Sequence, residues 1–236
     1  MEKRSCSSLL FSLIGGNMSV LQAVIYVLSS LVVIFLVLPV HESAHAWTAV
    51  KLGDPTPKYQ GRLSLNPFAH IDYLGALMIL LFGFGWAKPV SINPRNFKNP
   101  KGGMALTALA GPVSNLLVAF LFMLIYCGIK TFAAAAVLSS TVLMCLVYFL
   151  VYVIQINVGL AVFNLLPVPP LDGSRLLTAV LPDRIYYKIM QYERYIMLGL
   201  FALLFLGVLD RPLNFLRDAV YNGLFFVAGL PFRLFQ

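Results

Sequence analysis

His41, Glu42 and His45 sit together inside a run, 19–50, that is otherwise almost continuously apolar. In a helix, residues four apart lie about 40° apart around the axis and one turn apart along it, so both imidazoles face one spot. Glu42 projects from the flank of that face. Two imidazoles so placed bind zinc, and a neighbouring carboxylate left off the metal acts on a water molecule. The same spacing also arises in ordinary surface helices. Here that reading is costly, because an ionised glutamate inside a membrane helix costs about 2.5–3.5 kcal/mol and metal binding offsets it.

A catalytic zinc takes three protein ligands and leaves one position open. The remaining candidates are few: His70 is the third and last histidine, and Asp172 is the sole acidic residue between Asp72 and Asp183. Asp172 is preferred, since Pro167-Val168-Pro169-Pro170-Leu171 breaks the helix before it and frees its side chain at the depth of the histidines. The competing reading makes Asp172 a helix-start residue ahead of Gly173 and Ser174. His70 either closes the coordination sphere as a fourth ligand or is satisfied by loop backbone, the reading favoured here; a contact to substrate stays open. Asn115 and Asn164 are the amides nearest this set. They can donate to a tetrahedral oxyanion, or merely tie spans together.

The elements that must hold these residues are membrane helices. Hydrophobic residues make up 60% of the 236, charged ones 11%, and mean hydropathy is +0.85. Such a composition excludes a soluble globular domain and implies an integral membrane protein. The formal charge of +8 is no nucleic-acid signal, because lysines and arginines lie in short loops between apolar runs, as the positive-inside rule expects. Cys6, Cys127 and Cys145 form no metal or disulfide pattern and read as core cysteines.

A leader, 1–16, precedes a first span over 19–50 that Pro39 should bend just before the histidines. The basic connector 51–72 places their end of the helix toward the cytoplasm. Residues 73–87 are apolar, carry Gly75, Gly83 and Gly85, and have basic flanks on one side, so they read as a re-entrant element or a small β-hairpin, with 88–100 as a proline-rich loop. Spans over 104–129 and 137–166 follow. After a mixed-charge connector, 175–194, come apolar segments at 195–209 and 213–235, which either cross or lie in the interface, turning at Asp210-Arg211-Pro212.

With Gly111-Pro112-Val113-Ser114-Asn115 and Asn164-Leu165-Leu166-Pro167 through Asp172-Gly173, the HESAH stretch resembles the site-2 protease family of intramembrane zinc metalloproteases, over roughly 41–175. Ser174 stands where many members have a second glycine. The resemblance implies one zinc ion per chain on His41, His45 and Asp172, Glu42 as catalytic base, and site roles for Asn115 and Asn164. It implies a compact form without appended PDZ or CBS modules, in a bacterial cytoplasmic membrane with the site toward the cytoplasm.

The expected architecture is an all-α polytopic membrane protein: a single transmembrane protease domain, 1–236, with a three-helix catalytic core (19–175), a re-entrant or β-hairpin element, and C-terminal helices (185–235). Its substrate would be a transmembrane segment that unwinds locally, because a helix hides its carbonyls in its own hydrogen bonds, and it would pair by β-augmentation with the 73–90 element. The lipid bilayer is the other expected partner, nucleic acid is not one, and homo-oligomerisation is left open. The alternative function is a non-hydrolytic metal-binding protein, a pseudoprotease or transporter. Transport would need a polar path, and beyond the two asparagines only Gln155 and Asn157 offer one.

Overall fold

A computed structural model describes residues 19–82 and 85–235. The expected leader, Cys6 and Gly83 lie outside them. The described residues are helical with no strand, and three helices are long and apolar enough to cross a membrane. These are α1 (Val20–Lys51), α3 (Pro100–Phe132) and α4 (Thr141–Asn164). Between the first two lies the shorter apolar helix α2 (Tyr73–Phe82).

Ser19 starts α1 with a capping box, its hydroxyl accepting from the Gln22 N–H while the Gln22 side chain accepts from the Ser19 N–H. Pro39, where a bend was expected, does not break α1. Instead Val33–Val37 forms a π-helical turn, with the Leu38 N–H donating to the Val33 carbonyl. Such a wider turn accommodates the proline, which has no N–H and would crowd the carbonyl four residues back in a regular helix. The helix therefore continues unbroken through His41, Glu42 and His45 to Lys51.

Helix α3 buries one continuous row: Gly103, Thr107, Gly111, Asn115, Ala119, Met123 and Cys127, each four residues after the last. A row at this spacing is a ridge that packs into a neighbouring groove, and small residues along it allow close approach. Helix α4 is the central element, contributing Ile156 and Leu160 to a core with Val33, Val37 and Leu38 of α1 and Ile79 of α2. Its Ile154, Val158 and Val162 join Ala119 and Met123 of α3 in a second core.

The expected re-entrant element is α2 followed, among the described residues, by an irregular stretch from Gly85 to Asn93, with no hairpin among them. After α4 the chain turns through 165–171 into the short helices α5 (Asp172–Val180) and α6 (Asp183–Gln191). The last apolar segments are α7 (Glu193–Phe205) and α8 (Asp210–Gly229), bent by 86° at their junction. That angle makes them a broken span or a re-entrant loop rather than two parallel crossings. The turn falls at 206–209, just before the Asp210-Arg211-Pro212 expected to mark it, with Gly207 at φ 69°.

Candidate metal centre

One turn of α1 brings His41 and His45 onto the face that α3 packs against, and both are 4% exposed. Helix α5 begins at Asp172 and delivers its carboxylate to the same point. Gly173 permits that arrival: a Cβ there would lie 2.3 Å from the Leu165 carbonyl oxygen and 2.4 Å from that of Leu166, so only glycine fits against the end of α4. Asp172 is thus both the helix-start residue of one reading and the neighbour of the histidines in the other.

The three donor atoms form a near-equilateral triangle. His41 Nε2 and His45 Nε2 are 3.1 Å apart, and Asp172 Oδ2 lies 3.3 Å from the first and 3.1 Å from the second. Ligands about 2.0–2.1 Å from a tetrahedral zinc are separated by about 3.3–3.4 Å, so these donors match one face of that tetrahedron. The face leaves one position for a non-protein ligand. The His45 Nδ1–H donates to the Thr107 carbonyl at 2.7 Å, which leaves the Nε2 lone pair pointing into the triangle. Burial disfavours the charged form of Asp172, but the facing imidazoles outweigh it and hold the carboxyl well below the usual carboxylate range. The donor set therefore fits a zinc ion: two imidazole nitrogens and one carboxylate oxygen.

Gly111 is the floor of this site. A Cβ on it would lie 2.2 Å from His45 Nε2 and 2.5 and 2.6 Å from His41 Cε1 and Nε2. Thr107 and Gly111, one turn apart on α3, orient and seat the imidazoles together.

Glu42, 7% exposed, lines a cleft with His41, His45 and Asp172. Its walls include Asn164, Arg175 and the irregular stretch, through Trp86, Ala87, Pro89, Val90 and Ile92. Asn115 lies one turn beyond Gly111 on the buried row of α3, fully buried, and neither its amide nitrogen nor its oxygen has a hydrogen-bond partner. His70 is not part of the triangle. It is fully buried, and its Nε2 hydrogen-bonds the Ser64 carbonyl at 2.6 Å. The Ser43 hydroxyl, inside the HESAH turn, donates to the same carbonyl at 2.8 Å, so His70 buckles the connector onto the metal-site helix.

Comparison with known proteins agrees with this geometry. The model of peptidase family M50 matches residues 29–207. The chain belongs to peptidase family M50. This is the family of the site-2 proteases, and the M50 chain is an integral membrane metalloprotease. It is 43% identical over 172 residues to "Putative zinc metalloprotease YwhC" of Bacillus subtilis, covering 72% of this chain and 75% of that one. Two proteins that carry the same description, Rip2 of Mycolicibacterium smegmatis and MJ0611 of Methanocaldococcus jannaschii, are each 30% identical, over 56% and 44% of this chain and 49% of theirs. No solved structure matches the M50 chain.

Sequence reasoning did not single out Thr107, Arg175 or the walls formed by Trp86, Pro89 and Ile92. The one signal for Thr107 was its place four residues before Gly111, on the same helix face.

Proposed function

We propose that the chain is an intramembrane zinc endopeptidase, a single membrane domain that cuts peptide bonds in or near the transmembrane segments of other membrane proteins. The observation that carries the proposal is the buried triangle of His41, His45 and Asp172 with Glu42 beside it in a cleft walled by the irregular stretch 85–92. His41, His45 and Asp172 would hold the ion and Glu42 would be the catalytic base. Bound there, zinc supplies Lewis acidity, lowering the pKa of a water molecule toward 7 and polarising a peptide carbonyl. The Glu42 carboxylate takes the water proton and returns it to the leaving amine. Asn164, on the cleft wall, can donate to the developing oxyanion, and the unpartnered Asn115 amide is a second donor one turn from Gly111.

A helical substrate would have to unwind, because its carbonyls are otherwise bonded within the helix. The stretch 85–92 gives an unwound segment somewhere to pair: its one backbone hydrogen bond among the described residues runs from the Lys88 N–H to the His70 carbonyl, at 2.7 Å. Pairing there would be β-augmentation. The basic connectors support a site toward the cytoplasm, and the relative in Bacillus subtilis is consistent with a bacterial cytoplasmic membrane.

Zinc removal tests the metal assignment. Phenanthroline should abolish cleavage of a model membrane substrate, and zinc added back should restore it. Asp172→Asn keeps the side chain's size but removes the anionic donor, so zinc measured in the purified variant should fall by at least about tenfold. Undiminished zinc would return the third-ligand question to His70.

A further inference from the structure

Asp54 is acidic, lies in a polar connector nine residues beyond His45, and is nevertheless fully buried. Its backbone N–H donates to the Ala49 carbonyl at 2.9 Å, which fixes it to the end of the metal-site helix. Its carboxylate accepts four hydrogen bonds. Two come from its own loop: the Thr56 N–H at 3.1 Å and the Thr56 hydroxyl at 2.5 Å. Two come from the turn at 93–96 that follows the irregular stretch: the Asn93 N–H and the Asn96 side-chain amide, both at 2.7 Å. Burial alone would push the carboxyl up, but these donors outweigh it and hold it below the usual carboxylate range, so Asp54 is ionised.

The stretch 85–92 is seated by packing, with Val90 buried, Ala87 against the core and the Trp86 ring on Phe201, and by two polar ties. Its middle is held by Lys88 to the His70 carbonyl, and its end by Asn93 to Asp54. A backbone segment that pairs with a peptide must keep one register, because a slip of one residue exchanges the two faces. The Asp54 carboxylate is placed to hold that register, with its orientation set by Thr56 and its two remaining bonds on Asn93 and Asn96, just beyond the segment's end.

We propose that Asp54 is a positioning residue: it fixes the register in which the 85–92 backbone receives a substrate peptide beside His41, His45 and Asp172. The proposal rests on the peptidase reading above, and the test separates the two. Asp54→Ala and Asn96→Ala are compared with the unaltered chain, full length and zinc-loaded, in lipid vesicles, with a synthetic single-span peptide carrying a glycine pair in its apolar stretch. Amide hydrogen exchange, zinc content, KM, kcat and the mass of the fragments are read. Asp54→Ala should speed exchange over 88–93 and raise KM about tenfold or more, as loss of hydrogen bonds to a charged group implies. The cut should spread to neighbouring bonds, while kcat falls less and zinc stays bound. Asn96→Ala should move the same readouts less, and the double variant no further than Asp54→Ala. Unchanged exchange, or faster exchange with KM and cut position unaltered, would overturn the proposal, as would zinc loss in step with activity. Should Asp54→Ala fail to fold, Asn96→Ala decides by the same criteria. If the unaltered chain cuts nothing, the peptidase reading falls and the positioning role with it, whereas normal cleavage by the Asp54 variant sinks this proposal alone.

Discussion

Gly111→Ala is expected to empty the metal site. The added methyl would stand 2.2 Å from His45 Nε2, far inside the 3.0 Å that real Cβ contacts respect. Neither imidazole can simply step aside. His45 is held from α3 itself, through the Thr107 carbonyl one turn before Gly111, and both rings are almost wholly buried. Helix α3 must then back away from α1, or the two nitrogens must leave the triangle they share with Asp172. Losing the orientation of even one ligand costs about 10–100-fold in metal affinity, and here two are displaced. Zinc per chain should fall to background and cleavage with it. Gly128→Ala on the same helix is the control: its Cβ would meet Phe232 at an ordinary 3.5 Å, so zinc should be retained. Full zinc occupancy in Gly111→Ala would mean that the helices are less closely packed than described.

Glu42→Gln should do the opposite to the metal and the same to the chemistry. The side chain keeps its size in the cleft and lies outside the donor triangle, so zinc should remain at one per chain. An amide cannot take the water proton, and removal of a general base costs about a hundred- to ten-thousand-fold in kcat. The pair of variants therefore separates binding from chemistry: one loses the ion, the other keeps it and is inactive. A Glu42→Gln protein that cleaved at the native rate would remove Glu42 from the mechanism.

Much of this site was legible in the chain because a membrane makes polar residues conspicuous. His41, Glu42 and His45 interrupt an apolar run, Asp172 stands alone between distant carboxylates, and zinc accepts few residue types, so the set nearly assembles itself. What stayed hidden depends on how helices cross. Gly111 reads as a residue that allows close helix contact, and nothing in its neighbours says that imidazoles are what press on it. Asp54 was not singled out within the connector 51–72, because the 93–96 turn that bonds it is some forty residues away in sequence. Pro39 reads as a bend, but sequence does not reveal the π-helical turn just before it. The re-entrant element was ambiguous for another reason. A short apolar run with glycines satisfies helix and strand patterns alike, and here residues 73–82 are the helix α2, with irregular backbone from Gly85.

The central claim is that this chain hydrolyses peptide bonds within membrane segments using zinc and Glu42. Its most direct test is mass spectrometry of a single-span peptide incubated in vesicles with the purified, zinc-loaded chain and, in parallel, with Glu42→Gln carrying the same zinc. The account predicts two complementary fragments, cut within or beside the apolar stretch, from the unaltered chain alone. An intact peptide in both samples, or the same fragments in both, would contradict it.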